Sequence, residues 1–277
     1  MRLSKSSASN LRQSIRILCL SYVAYGSLAL YAASAMAAPI VGGEEVSTSD
    51  PVNETTVALI ILMPNGMATC TASLIAKDLA VTAAHCLTDD QGKAVAAANL
   101  RIIFGTNINV KSMVKRVAPV VGAIFNPAFK KVGGTNLDRS DVGILRFSGG
   151  LPSGYAPALL LPRMMKISNG ESILLAGYGI NDVRNGGSGD GVLRKAVVQV
   201  ASVDVARTEI LLDQRQGKGS CHGDSGGPAF VVQGSKNYLF GITSRGNEDC
   251  SMAIYSEITA HMSFFNQATK ALRSIRR

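Results

Sequence analysis

The chain has no tryptophan, only 5% aromatic residues and only 17% charged residues, against roughly 25% charged in an average soluble protein. With 47% apolar residues over 277 positions, that composition buries a core and excludes disorder as the main state. The length fits one large domain or two small ones. No tandem repeat of 20–50 residues is visible, so a propeller or solenoid is not supported. None of the five cysteines forms a C-x-x-C pair, which argues against a zinc site.

Acidic residues are absent from the first 39 positions, which hold Arg2, Lys5, Arg12 and Arg16, and no charged side chain occurs from Ile17 to Val41. A basic stretch, an apolar run and the small-residue pattern Ala35-Met36-Ala37 read together as a secretory signal peptide over residues 1–37. The run is also long enough to span a bilayer, so an uncleaved anchor is the alternative. Small residues crowding its end favour cleavage. The whole chain carries 28 basic and 19 acidic residues, a net charge of +9, which taken alone hints at nucleic acid or membrane. Without the four leader cations the balance is 24 against 19, or +5. No Lys/Arg stripe interleaved with aromatics appears, and nucleic-acid binding is disfavoured.

Cys19 lies in the leader behind Leu18, a residue too large for a lipoprotein processing site. Cys70, Cys86, Cys221 and Cys250 remain. An even number in an exported chain favours disulfides, with three pairings open.

From about Thr55 onward, short apolar or alternating runs are separated by Gly, Pro, Asn and Asp. Examples are Thr56–Leu62, Ala80–Ala83, Arg101–Phe104, Ser172–Ala176, Ala196–Val200, Tyr238–Ile242 and Ala253–Ile258. This pattern predicts an all-β sandwich or barrel. The stretch Gly149–Pro162 divides two halves of similar size. Only the C-terminus carries a helical period, with Met262, Phe265, Ala268, Leu272 and Ile275 at three- and four-residue steps.

Chemistry concentrates in Gly223-Asp224-Ser225-Gly226-Gly227-Pro228. Glycines after a serine let the backbone turn sharply, leave the hydroxyl exposed and allow adjacent amides to point into one pocket. An acyl-transfer nucleophile needs that arrangement, although a Gly-rich surface turn would look the same. A base must come from His85, His222 or His261. His85 ends an apolar run in Thr82-Ala83-Ala84-His85-Cys86, where a structural histidine is the plainer reading. Asp141 leads into Val142-Gly143-Ile144-Leu145, either as a strand-start turn residue or as the group that fixes an imidazole tautomer.

Together these segments resemble the chymotrypsin-like, trypsin-family serine endopeptidases. The likeness runs in order through Ile40-Val41-Gly42-Gly43, the His85 block, the Asp141 block, Gly223–Pro228 and Ser244-Arg245-Gly246. The chain order His, Asp, Ser matches this family and not the subtilisin or α/β-hydrolase orders. The resemblance implies two six-stranded antiparallel β-barrels with the site between them, lobes of about 40–150 and 160–260, and a C-terminal helix of about 259–275. It implies Ser225 as nucleophile, His85 as base and then acid, Asp141 as its orienting partner, and the amides of Gly223 and Ser225 as the oxyanion hole. It further implies that Ser244 supports the buried aspartate, that Cys70 pairs with Cys86 and that Cys221 pairs with Cys250. No cofactor or metal is expected. No acid lies between Asp90 and Asp138, where calcium-binding relatives supply loop ligands.

In the family, the freed amine of the residue matching Ile40 pairs with the aspartate matching Asp224 and switches on the oxyanion hole. Residues 38–39 would then be a two-residue activation segment. Gly219 occupies the base of the primary pocket where trypsin-like members carry aspartate, followed by Ser220, while Gly246 and Ala253 line the walls. These residues suit a neutral apolar side chain such as Leu, Met or Phe. Acidic specificity through His222 is the rival, although glutamate-specific relatives place a histidine where this chain has Thr243. Arg245 and Tyr178 stand where the family usually has Trp, and the first change is expected to alter neighbouring subsites or recruit acidic residues. The basic tail of Lys270, Arg273, Arg276 and Arg277 is read as the solvated face of a helix packed on the second barrel, with an anionic surface as the alternative. Asn53-Glu54-Thr55 fits a glycosylation sequon. The expected protein is a secreted monomer acting on proteins or peptides, open to protein inhibitors and without lasting membrane association. A non-catalytic binding protein on a protease scaffold is the alternative.

Overall fold

The computed structural model describes residues 40–130, 139–183 and 187–275. Signal and activation segments expected over residues 1–39, and the tail cations Arg276 and Arg277, lie outside the described residues.

A short strand β1 (Glu44–Glu45) precedes a one-turn helix α1 (Pro51–Thr55), started by Asp50 Oδ1 accepting from the Val52 amide and by Pro51 in the first turn. Six antiparallel strands follow: β2 (Thr56–Met63), β3 (Gly66–Ala76), β4 (Leu79–Thr82), β5 (Leu100–Gly105), β6 (Val114–Phe125) and β7 (Gly143–Phe147). They close a barrel in the order β2-β3-β4-β7-β6-β5. Closure removes strand edges and turns the inward residues, among them Leu59, Leu74, Ile102, Phe104 and Phe147, into one core.

The second half holds β8 (Leu159–Leu160), β9 (Ser172–Gly177), β10 (Arg194–Ala206), β11 (Glu209–Asp213), β12 (Pro228–Gln233), β13 (Lys236–Gly246) and β14 (Met252–Glu257). Pairing runs β9-β12-β13-β14-β11-β10 and returns to β9, closing a second antiparallel six-stranded barrel. β1 adds to β10, and β8 runs parallel to β13. The expected all-β double barrel is the observed fold.

Tyr178 stitches the barrels together. It follows β9, is fully buried, donates its hydroxyl to the Gly105 carbonyl at 2.7 Å, and its amide donates to Thr71 Oγ1 at 3.1 Å. It thus fills a Trp position while keeping one polar tip satisfied. Burial holds its phenol well above the ordinary tyrosine pKa.

The C-terminal helix corrects one expectation. A turn of tighter helix (Thr259–His261) leads into α2 (Met262–Ser274), which buries Phe265, Ala268 and Leu272 and packs chiefly against β6 and β7 of the first barrel rather than onto the second barrel. Arg146 on β7 explains the choice. Its Nε donates to Asp78 at 3.0 Å, and its Nη1 donates to the carbonyls of Leu272 at 3.0 Å and Ile275 at 3.1 Å. A cation from the first barrel therefore satisfies carbonyls that α2 leaves open at its C-terminus. Lys270 and Arg273 are exposed.

Asn53 is also not what its sequon suggests. It is buried, its Nδ2 donates to the Thr48 carbonyl, and its Oδ1 accepts from the Tyr155 hydroxyl at 3.2 Å. In the folded chain that amide nitrogen is buried and offers no exposed attachment point for a glycan. Among the described residues no helix is long and apolar enough to cross a membrane.

Candidate active site

The turn after β4 delivers His85, and the disulfide Cys70–Cys86 ties that turn to β3. Closing a loop of about 15 residues stabilises by roughly 3 kcal/mol in the chain-entropy account. Asp141 enters from the loop before β7 and is buried. Its Oδ1 accepts from the His85 backbone amide at 3.0 Å and its Oδ2 contacts His85 Nδ1 at 2.8 Å. The Ser244 hydroxyl on β13 donates to Asp141 Oδ2 at 2.7 Å. Burial works to raise the Asp141 pKa. The His85 charge and the bonds from His85 and Ser244 outweigh it, and hold the carboxyl below its ordinary value.

The Ser225 turn is built around backbone that only glycine fits. Gly223 has φ 93°, and a Cβ there would come within 2.8 Å of Gly179 Cα. A Cβ on Gly226, at φ 81°, would lie 2.4 Å from the Thr71 carbonyl oxygen. The Ser225 carbonyl accepts from the Thr71 amide at 2.8 Å and lies 3.6 Å from Cys86 Sγ, beside His85. Among the described residues, the Asp224, Gly226 and Gly227 amides donate to protein carbonyls, whereas those of Gly223 and Ser225 donate to no protein acceptor. Two unspent donors flanking an accessible hydroxyl are what an oxyanion site requires.

Ser225 opens on a cavity of about 230 Å³ whose lining includes Ser220, His222, Ser244, Gly246 and Ala253 and no carboxylate. Gly219 is not part of that lining. It sits behind the wall with φ 152°, and the Gln214 side chain occupies the space beside it. Gln214 is a residue the motifs did not flag. Buried, it donates through Nε2 to the carbonyls of Ser220 (2.9 Å) and Cys250 (2.8 Å), and accepts through Oε1 from the Ser220 amide (2.8 Å). The disulfide Cys221–Cys250 joins the same two walls.

The Trp-to-Arg change is resolved inside the chain. Arg245 makes a two-pronged bond to Glu209, Nη1–Oε1 2.7 Å and Nη2–Oε2 2.6 Å, and Glu209 is fully buried. The acidic partner expected of Arg245 is thus this chain's own. Glu209 was visible in the sequence only as an acid heading the apolar run Ile210-Leu211-Leu212.

Asp224 is buried under Ser225 and accepts from the amides of Gly179 and Cys221, both at 2.8 Å. Burial pushes its pKa up to about 7, against those bonds and the nearby Arg194 charge. Ile40 is fully buried in the second-barrel core, and Val41 bridges to Gly219.

The trypsin family model matches residues 40–268. This chain belongs to the trypsin family. Among its relatives are Trypsin-1 of Astacus astacus, 28% identical over 70% of this chain and 84% of the relative, and a trypsin of Saccharopolyspora erythraea, 28% identical over 80% and 94%. Mouse cathepsin G is 26% identical over 76% of this chain and 79% of its own length. The trypsin-family membership makes the chain a serine endopeptidase, a hydrolase of proteins or peptides.

Proposed function

We propose that Ser225 attacks the carbonyl carbon of a peptide bond while His85 Nε2 takes the hydroxyl proton. Asp141 fixes the required tautomer and stabilises the imidazolium. As the Oγ–C bond forms, the carbonyl electrons move onto oxygen, and the Gly223 and Ser225 amides receive that charge. Each such donor is worth roughly 2.7–4 kcal/mol in the barrier. The imidazolium gives its proton to the leaving amine as the C–N bond breaks, leaving an acyl-enzyme. Water, deprotonated by His85, then releases the acid.

The observation that carries this reading is the double hold of Asp141 on His85, through both the backbone amide at 3.0 Å and the ring at 2.8 Å. The test is stoichiometric labelling of Ser225 by a serine-directed phosphonate, lost in Ser225→Ala. A chain with a verified Ile40 N-terminus that takes no label and cleaves no peptide would instead be a binding protein on this scaffold.

Cleavage follows neutral apolar residues such as Leu, Met or Phe rather than Lys or Arg. Support comes from small walls at Gly246 and Ala253 and from a lining that holds the Arg245 cation and no carboxylate. Dominant cleavage after Lys or Arg in a peptide library would overturn this preference.

The chain is exported with loss of residues 1–37, acts as a secreted or periplasmic monomer without nucleic acid or a lasting membrane anchor, and is open to protein inhibitors. Another peptidase removes residues 38–39, since a cut after Pro39 is not this enzyme's chemistry. The freed Ile40 ammonium then pairs with Asp224, whose buried charge otherwise lacks a full counter-ion. N-terminal sequencing of active enzyme must return Ile40.

A further inference from the structure

Glu209 heads β11 on the second barrel and is fully buried. A buried carboxylate is tolerated when charged partners and hydrogen bonds saturate it. Here the partners lie on both flanks of Asp141. The Arg245 guanidinium grips both carboxylate oxygens, at 2.7 and 2.6 Å, and Arg245 directly follows Ser244, the hydroxyl donor to Asp141. On the other flank the Arg139 amide donates to Glu209 Oε1 at 3.1 Å, two residues before Asp141.

The link between Arg139 and Asp141 is Ser140, at φ 47°. A non-glycine residue in that region is strained and persists only where its surroundings hold it. Downstream, the Val142 amide donates to the Ser140 carbonyl at 2.8 Å, and the Asn126 amide donates to the Val142 carbonyl at 2.9 Å. Upstream, the Arg139 amide is held by Glu209.

We propose that Glu209 is a positioning residue for Asp141, a clamp from the second barrel that fixes both the strained segment entering Asp141 and the strand presenting Ser244. The clamp rests on the proposed triad, since positioning Asp141 matters to catalysis only if Asp141 serves His85.

The test compares the processed enzyme with Glu209→Gln, which removes the charge, and Glu209→Asp, which keeps it but shortens the reach by one methylene. Two quantities are read: kcat against KM on a peptide substrate, and the low-field proton resonance of the His85 Nδ1–H bonded to Asp141. The expected result is a fall in kcat of about 10- to 100-fold, the scale of a small misplacement, with KM little changed. The resonance should shift or broaden in both variants. A purely long-range charge effect would spare Glu209→Asp. Both variants folded, with wild-type kcat and resonance, would overturn the proposal.

If neither Glu209 variant folds, Arg245→Lys decides by the same two readouts, because it keeps the charge and loses the two-pronged geometry. A wild-type-like Arg245→Lys would then overturn the clamp. Failure of the triad reading looks different: the wild-type chain would show the resonance and no turnover, while the response of that resonance to Glu209→Asp would still report on the clamp.

Discussion

The Ser244 hydroxyl lies 2.7 Å from Asp141 Oδ2, the oxygen that also faces the His85 ring at 2.8 Å. One carboxylate oxygen thus serves a second-barrel strand and a first-barrel histidine together. A hydrogen bond to a charged group contributes about 1.5–3 kcal/mol, and about 1.4 kcal/mol is a factor of ten in rate. Ser244→Ala should therefore lower kcat on a small ester by about 10- to 100-fold, while the chain stays folded by circular dichroism. Unchanged kcat would show that Asp141 needs no help from this hydroxyl.

Asp224 predicts a pH dependence of stability in the chain that still carries residues before Ile40. Its folded pKa is raised from 3.8 to about 7. Between those values the folded state holds a proton that the unfolded state has released, so stability is full below the unfolded pKa and is lost as pH rises through the folded one. Asp141 acts with the opposite sign: its lowered pKa contributes stability at higher pH that is lost on acidification. Comparison with Asp224→Asn separates them. Denaturant midpoints of the precursor should fall from about pH 4.5 to pH 7.5 by more than those of Asp224→Asn, and the difference should shrink once Ile40 carries a free ammonium. Equal slopes in the two precursors would remove Asp224 as the cause.

Gln214 predicts a coupling between the pocket wall and stability. Gln214→Leu keeps similar volume but strands the Ser220 amide and the carbonyls of Ser220 and Cys250, which the amide side chain now satisfies. Each buried group left without a partner costs about 1–3 kcal/mol. The variant should lose at least about 2 kcal/mol in urea denaturation, and KM should rise more for a substrate with Leu before the scissile bond than for one with Gly there. Wild-type stability would mean that the wall rearranges freely.

What could be read from the chain and what could not divide along a physical line. Gly223–Pro228 was legible because its first demand is local: the turn needs positive φ at Gly223 and Gly226, although the neighbours that crowd them, Gly179 and Thr71, come from elsewhere in the chain. Strands such as Ser172–Gly177 showed in their own apolar runs. The burial of Asn53 was not legible, since the sequon is three adjacent residues while Tyr155, which donates to Asn53, lies far along the chain. Glu209 and Arg245 were each visible as charged residues beside apolar strands, but their pairing depends on how β11 and β13 come to flank β14. A bidentate pair 36 residues apart leaves no mark in local periodicity.

The C-terminal helix shows the same limit and yields the last prediction. Its apolar stripe announces that one face is buried but carries no address, because any complementary apolar surface satisfies it equally. The address comes from β7, through Arg146, and from β6, where Gly122 leaves room for Leu272 and Ile275: a Cβ there would lie 2.9 Å from Leu272 Cδ2 and 2.6 Å from Ile275 Cδ1. Leu272 is fully buried, so Leu272→Ala should cost about 2–5 kcal/mol. Gly122→Ala should destabilise less than Leu272→Ala, because its new Cβ meets only the ends of the Leu272 and Ile275 side chains. Both variants act on the outer side of the first barrel, so unfolding in urea should come earlier while KM for a good peptide stays within about twofold, a change of under half a kcal/mol. If either variant instead raises KM severalfold at full stability, α2 is coupled to the substrate cleft and not simply to the barrel beneath it.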